Sequence, residues 1–211
     1  FAICIGPGAG ASLAGSDVIV IGQGAGPNVS GTLVIGIGTL ACQGVVAGSD
    51  DICLGYNTLA TTQVGALNNN VAIADGTLQH LTTGSNNIGI SAFGAVATAS
   101  FNVGLGGGNQ FTGGNYNFIG GYATFFFGAG SQNTVIGALA GPGISGSAGM
   151  SNSTIVGYLA GQNINSSSST TNIVALGASS CNDVTTATGS ICIGTGVNAG
   201  SATQNSLLNI G

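Results

Sequence analysis

The stretch "SICIGTG" (residues 190–196) sets a cysteine inside an apolar run that ends in glycines. Nearly the same phrase opens the chain as "AICIG" (2–6) and returns as "DICLG" (51–55). A thiol in that setting is a metal ligand, a redox centre, half of a disulfide or one tooth of a structural repeat. The rest of the chain weighs these readings. Related phrases follow one another along its whole length: "VIVIG", "VIGIG", "VAIAD", "IGIS", "NVGLG", "NFIGG", "NTVIG", "STIVG", "IVALG" and "LLNIG". Aligned on the closing glycine, they place it at Gly6, Gly22, Gly38, Gly55, Gly106, Gly120, Gly137, Gly157, Gly177, Gly194 and Gly211, with Ala74 and Ser91 in the other two slots. That makes thirteen units at steps of 14 to 20 residues, and an internal repeat of this kind decides the fold before any local motif does.

The residue before the slot is always aliphatic, from Ile5 and Ile21 to Ile193 and Ile210. Two residues earlier the column is apolar in ten of the thirteen units. Apolar alternation with period 2 marks each phrase as one short β-strand. The Gly-, Ser-, Thr- and Asn-rich residues between phrases suffice for turns and a second short strand. A strand of this length is unstable alone, but thirteen copies can stack, each hydrogen-bonding to its equivalent in the next coil. The prediction is therefore an all-β chain, a parallel β-solenoid forming a single repeat domain over 1–211. At a ladder spacing of about 4.8 Å, thirteen coils give a rod roughly 60 Å long.

Between the two aliphatic columns runs a third, which the alignment fills with Cys4, Val20, Gly36, Cys53, Ala72, Gly89, Gly104, Phe118, Val135, Ile155, Ala175, Cys192 and Asn209. In the units ending at Gly120, Gly137 and Gly157 the large apolar residue moves into this middle column, leaving Asn117, Thr134 and Thr154 outside. One face fills the narrow coil interior. The other, also mostly apolar, needs a cover, and further copies of the chain are the economical source.

Composition narrows the function classes. The 211 residues include no Lys or Arg, five acids, one His and 41 glycines, for a net charge of −5. Without a cation there is no partner for phosphates or for acidic lipid headgroups, which argues against nucleic acid and anionic membrane surfaces. Apolar runs break well short of the ~20 residues of a membrane span, so membrane insertion is not expected. The chain begins at Phe1 without a Met or a signal peptide and reads as a trimmed or processed piece.

No constellation of catalytic residues is visible, so the chain reads as a non-enzyme. His80, in "TLQHLTTG", has no acid near it in sequence and reads as a loop residue. Asp17, Asp50, Asp51, Asp75 and Asp183 are scattered, and turn formation accounts for Asp17 and Asp51 at strand starts. "SDD" (49–51) falls short of the six or more oxygens a calcium site needs. "GLGGGNQFTGG" (104–114) lacks the Lys and the helix of a phosphate loop. No cofactor and no metal are expected. Aromatic residues say more. Seven of the eight Phe and two of the four Tyr fall between 93 and 127. Phe93, Phe111, Tyr116, Tyr122, Phe125, Phe126 and Phe127 are the candidate receptor- or partner-contact residues, against the reading that they fill a core.

The cysteines pose a register question. Cys4, Cys53 and Cys192 share the middle column, the nearest two being three coils apart, about 14 Å, and too far to bridge. Cys42 and Cys181 each lie eleven residues before a strand cysteine of the next coil, Cys53 and Cys192. Those two pairs can be bridged if their side chains face each other; otherwise they are small buried hydrophobes.

The phrases "NTVIGALAG" (133–141), "STIVGYLAG" (153–161), "NIVALGASS" (172–180) and "LTTGSNNIGIS" (81–91) resemble the repeats of YadA-like trimeric autotransporter adhesin heads and of bacteriophage and other viral tail fibres. The resemblance covers essentially the whole chain. It implies a left-handed β-roll, a homotrimer at a virion or cell surface, and a cell-surface glycan or protein receptor, with no catalytic residues to carry over. "NSLLNIG" (205–211) looks like the run-up to an intramolecular chaperone domain in such fibres. The cysteines, the missing basic residues and the Gly- and Phe-rich middle depart from the pattern. The expected function is thus a structural and adhesive rod of a tail fibre or surface adhesin. A self-assembling extracellular filament subunit is the alternative. An ice- or surface-binding solenoid ranks lower, because no column supplies a regular Thr ladder.

Overall fold

The computed structural model describes residues 1–43, 45, 47–60, 67–94, 97–106, 113–122, 130–141, 149–164, 171–185, 188–200 and 205–211. It is an all-β parallel β-solenoid with no helix among these residues. The chain divides into two compact units, Phe1–Asn102 and Val103–Gly211, each built on the same coil.

In the first unit the repeated phrases form β1 (Ala2–Ile5), β2 (Val18–Ile21), β3 (Ile35–Ile37) and β4 (Ile52–Leu54), followed by β6 (Val71–Ile73) and β8 (Ile88–Ile90). They pair in parallel from β1 through to β8 in that order. A second wall is started by β5 (Leu67–Asn68) and β7 (Gly84–Ser85), also parallel, and β9 (Thr98–Ser100) extends it through the bridge between Thr83 and Thr98. The second unit holds β10 (Val103–Leu105), β11 (Gly113–Asn115), β12 (Phe118–Gly120), β13 (Thr134–Ile136), β14 (Thr154–Val156), β15 (Val174–Leu176), β16 (Ile191–Ile193) and β17 (Leu208–Ile210). All of these except β11 pair in parallel from β10 to β17.

Each strand alternates as its sequence requires. The middle residue points inward: Val20, Cys53 and Ala72 in the first unit, and Ile119, Val135, Ile155, Ala175 and Cys192 in the second, are buried. Small residues and Val dominate here because the interior is only one side chain wide on each side. The rest of the coil adds buried Val29, Val45, Leu67 and Leu81 in the first unit and Ile164 and Val184 in the second.

Two corners bound every strand. The first is the residue two before the outer strand column, which takes a left-handed conformation: Asp17, Asp50, Asn69 and Asn86 in the first unit, Gln132, Asn152 and Asn172 in the second, with φ between 53° and 62°. Asn and Asp tolerate that region better than other side chains. The second corner is the slot glycine. In the second unit Gly137, Gly157, Gly177 and Gly194 have φ from 127° to 140°, a region open essentially to glycine alone. A Cβ on Gly157 would run into the carbonyl of Gly177 on the next coil.

One register expectation is corrected. Aligning "NFIGG" on Gly120 put Phe118 in the inward column, but β12 pairs so that Ile119 stands opposite Gly104 and Val135. Ile119 is buried and Phe118 lies outside, beside Thr134. Asn117 consequently moves one place back, level with Asn133. A one-residue shift exchanges the two faces of a strand, and burying Ile119 leaves the larger ring of Phe118 outside the narrow interior.

Candidate functional site

With the inward column settled, the residues on either side of it face outward. In the first unit they form two parallel aliphatic columns, Ile19, Ile35, Ile52, Val71 and Ile88 beside Ile21, Ile37, Leu54, Ile73 and Ile90. In the second, Val103, Phe118, Thr134, Thr154, Val174 and Ile191 run beside Leu105, Gly120, Ile136, Val156, Leu176 and Ile193. None of these residues is buried except Gly120, and Ile37 and Ile90 are 42% and 40% exposed. No charged residue stands in either column. An ordinary soluble monomer rarely shows so continuous an apolar surface.

The candidate aromatic residues separate in the structure. Phe93 is only 1% exposed, so it belongs to the interior and is removed from the surface set. Tyr116 and Tyr122 are exposed at 59% and 54%, and both hold positive φ. Tyr116 occupies the Asn/Asp corner and Tyr122 follows the slot corner at Gly121, so each ring is carried outward on a turn. Phe118 lies outside on the same rung, and its ring reaches over Gly120. Tyr116, Phe118 and Tyr122 thus give one rung an aromatic outer edge. Phe111, Phe125, Phe126 and Phe127 lie outside the described residues. Tyr56 and Tyr158, not singled out by sequence, are as exposed as Tyr122; each directly follows a slot glycine, which is the signal that places them.

Four of the five cysteines are joined. Cys42–Cys53 and Cys181–Cys192 are disulfides, with Cα–Cα distances of 5.6 and 5.5 Å and a separation of eleven residues in each. Each ties a corner residue of one coil to the inward column of the next, and all four cysteines are fully buried. Cys4, in the same inward column, is free and exposed. Closing a loop of this size restricts the unfolded chain by about 3 kcal/mol. Replacing Cys42 and Cys53 together by Ser should therefore lower the unfolding free energy by that amount, read by urea unfolding. Reductant should act on the parent protein only at denaturant concentrations that open the coil.

Sequence reasoning missed a polar ladder inside the coil. The position just before the outer strand column is buried from Val18 to Ser190, and in the first unit Val18 and Val34 are followed there by Asp51, Asn70, Asn87 and Asn102. Each asparagine donates its Nδ2 hydrogen to Oδ1 of the preceding member, Asn70 to Asp51, Asn87 to Asn70 and Asn102 to Asn87, all at 3.0 Å. Each backbone N–H donates to the same oxygen. The second Nδ2 hydrogen of Asn70 and Asn87 goes to the carbonyls of Gly84 and Ala99 on the far wall. In the second unit Asn133 donates to Asn117 at 2.9 Å, and Ser153 continues the column by donating its N–H to Asn133. Buried amides satisfied on all sides hold register as well as stability. The signal was present as a recurring Asn just before the strand phrase, hidden because a turn Asn often adjoins it.

Asp51 is corrected by the same geometry. Asp50, with φ 61°, holds the turn; Asp51 is fully buried at the head of the ladder. Its Oδ2 has no hydrogen-bond partner. Burial raises its pKa from 3.8 to about 7; the Asn70 N–H and amide offset this in part, and the charge of Asp50 adds to it. The other acids are structural or exposed. Asp75 accepts the Tyr56 N–H, and Asp183 accepts the N–H groups of Ala199 and Gly200. His80 is exposed in a turn. Among the described residues no three His, Cys, Asp or Glu side chains gather as metal ligands would, and no helix is long and apolar enough to cross a membrane.

No family model, curated protein or solved structure matches the chain. Its function is therefore argued from the coil itself.

Proposed function

We propose that the chain is a structural and adhesive segment of an attachment fibre at a virion or cell surface. In this reading it is a left-handed β-roll of thirteen coils that works as a homotrimer. The observation that carries it is the outward face of paired aliphatic columns, recurring coil after coil, free of charge and left half-exposed in one copy. Burying such a surface is favourable by roughly 25 cal/mol per Å². The acidic residues stand on corners, loops and the buried ladder rather than on this face, so like charges do not oppose copies meeting there. Three copies would also give multivalence, which lets individually weak receptor contacts hold.

The two buried disulfides support an oxidising, extracellular setting. The exposed Tyr116 and Tyr122 support a role for the aromatic rung in contacting a cell-surface glycan or protein receptor. We assign the chain no reaction and no cofactor.

The test is the native mass in solution. Sedimentation should give three times the chain mass of 20.1 kDa. Changing Ile37 and Ile136 together to Glu should shift the species to monomer while the β-sheet circular dichroism persists. A parent protein that stays monomeric at tens of micromolar would overturn the trimer, and unlimited polymers in micrographs would favour the filament instead.

A further inference from the structure

Asp51 is the one member of the first unit's ladder that carries a carboxyl where its neighbours carry an amide. Its Oδ1 does what each asparagine Oδ1 does, accepting the N–H and Nδ2 of the next member, here Asn70 at 2.9 and 3.0 Å. Its Oδ2 therefore stands in the place of Nδ2. At Asn70 and Asn87 that nitrogen donates to a far-wall carbonyl, Gly84 and Ala99 at 3.2 and 2.8 Å. The carbonyl equivalent to Gly84 in the preceding coil is Leu67, its direct partner in the parallel pair. A Cβ built on Gly48 would meet both the Leu67 carbonyl oxygen and Asp51 Oδ2, which places the two oxygens no more than about 4.5 Å apart. Leu67 O already accepts the Ser49 N–H and keeps its second lone pair.

Two acceptors facing each other in a buried site are unfavourable unless one carries a proton. We infer that Asp51 is a pH-sensitive latch: it is carried as the neutral acid, Oδ2–H donating to the Leu67 carbonyl, and loss of that proton loosens the joint between its coil and the next. Around Asp51 stand Gly48 of its own coil, Asn70 and Leu67 of the next, and Val34 at the equivalent position of the coil before, none of them titratable. Asp50, beside it in sequence, is the charged group acting on it, and its charge favours the proton. The disulfide at Cys53, two residues along the same rung, does not titrate.

The direction of the pH dependence follows. The folded chain keeps this proton from 3.8 up to about 7, whereas the unfolded chain releases it near the lower value. The stabilisation is complete below the unfolded value and drains away as pH rises toward and through neutrality. Across that window the folding constant should fall about a thousandfold, one decade for each decade of pH. Asp51→Asn restores the amide, completes the ladder and should abolish this fall.

The experiment combines carbon-detected NMR of the aspartate carboxyls with urea unfolding of the parent and D51N proteins from pH 4 to pH 9. The Asp51 carboxyl should titrate near neutrality. The parent should lose stability relative to D51N as pH rises, and the Asn70 amide should lose exchange protection over the same range. An Asp51 resonance that titrates in the ordinary carboxylate range would overturn the inference, as would a parent-to-variant difference that does not change with pH. The NMR arm decides the matter even if D51N does not fold.

Discussion

Replacing Gly157 by Ala should cost the fold about 3 kcal/mol or more, one of the two largest single-site effects expected in this chain. Two penalties add there. The backbone sits at φ 140°, where an L side chain is strained. The new methyl would also press into the carbonyl of Gly177 on the next coil, and that oxygen is already held by Ser180, whose N–H and hydroxyl both donate to it. Gly196 is the control, because it has φ 67° but nothing within 4 Å of a built Cβ. G196A should therefore cost only the ordinary left-handed penalty, about 1 kcal/mol. Thermal or urea unfolding of the two variants checks this, and equal effects would refute the account of the slot column as an inter-coil contact.

Asn87→Ala is the second. The side chain receives the N–H and Nδ2 of Asn102 and donates to Asn70 Oδ1 and the Ala99 carbonyl. Truncation leaves the buried Asn102 N–H without its acceptor and strips donors from two oxygens. Each unsatisfied buried group costs about 1–3 kcal/mol, so a loss of about 4 kcal/mol is expected. The adjacent Asn86 is the contrast. It is exposed, with φ 62°, and Asn86→Gly should change stability by a few tenths of a kcal/mol, since glycine accepts that backbone freely. Two neighbouring asparagines thus carry very different weight.

The strands were legible because period-2 alternation was repeated often enough to average out local ambiguity. At "NFIGG" that averaging failed. Two successive glycines offered two alignments, and only the packing of Ile119 against Gly104 and Val135 chose between them. Spacing also brought Cys42 to Cys53 and Cys181 to Cys192, but whether the thiols faced each other depended on the corner conformations at Cys42 and Cys181, both at positive φ. The asparagine ladder and Asp51 stayed hidden for a related reason. Asn and Asp serve turns and buried ladders alike, and in "SDD" or "NNN" composition does not say which residue turns and which points inward. Exposure was harder still to read. Phe93 and Tyr122 belong to the same Phe- and Tyr-rich stretch, yet one is interior and the other surface.

The placement of the disulfides bears on how the chain would respond to tension. In a parallel stack each coil is held by its neighbours alone, so a pulled end would strip coils one at a time. A coil of about 17 residues would lengthen the tether by nearly 60 Å at full extension. Where Cys42 is bonded to Cys53 and Cys181 to Cys192, eleven residues of each crossing stay looped out of the load path. The tether then gains about 35 Å less at each, and two neighbouring coils are tethered as one. Each unit carries a single such stop, a built-in limit on how far its unravelling can pay out chain.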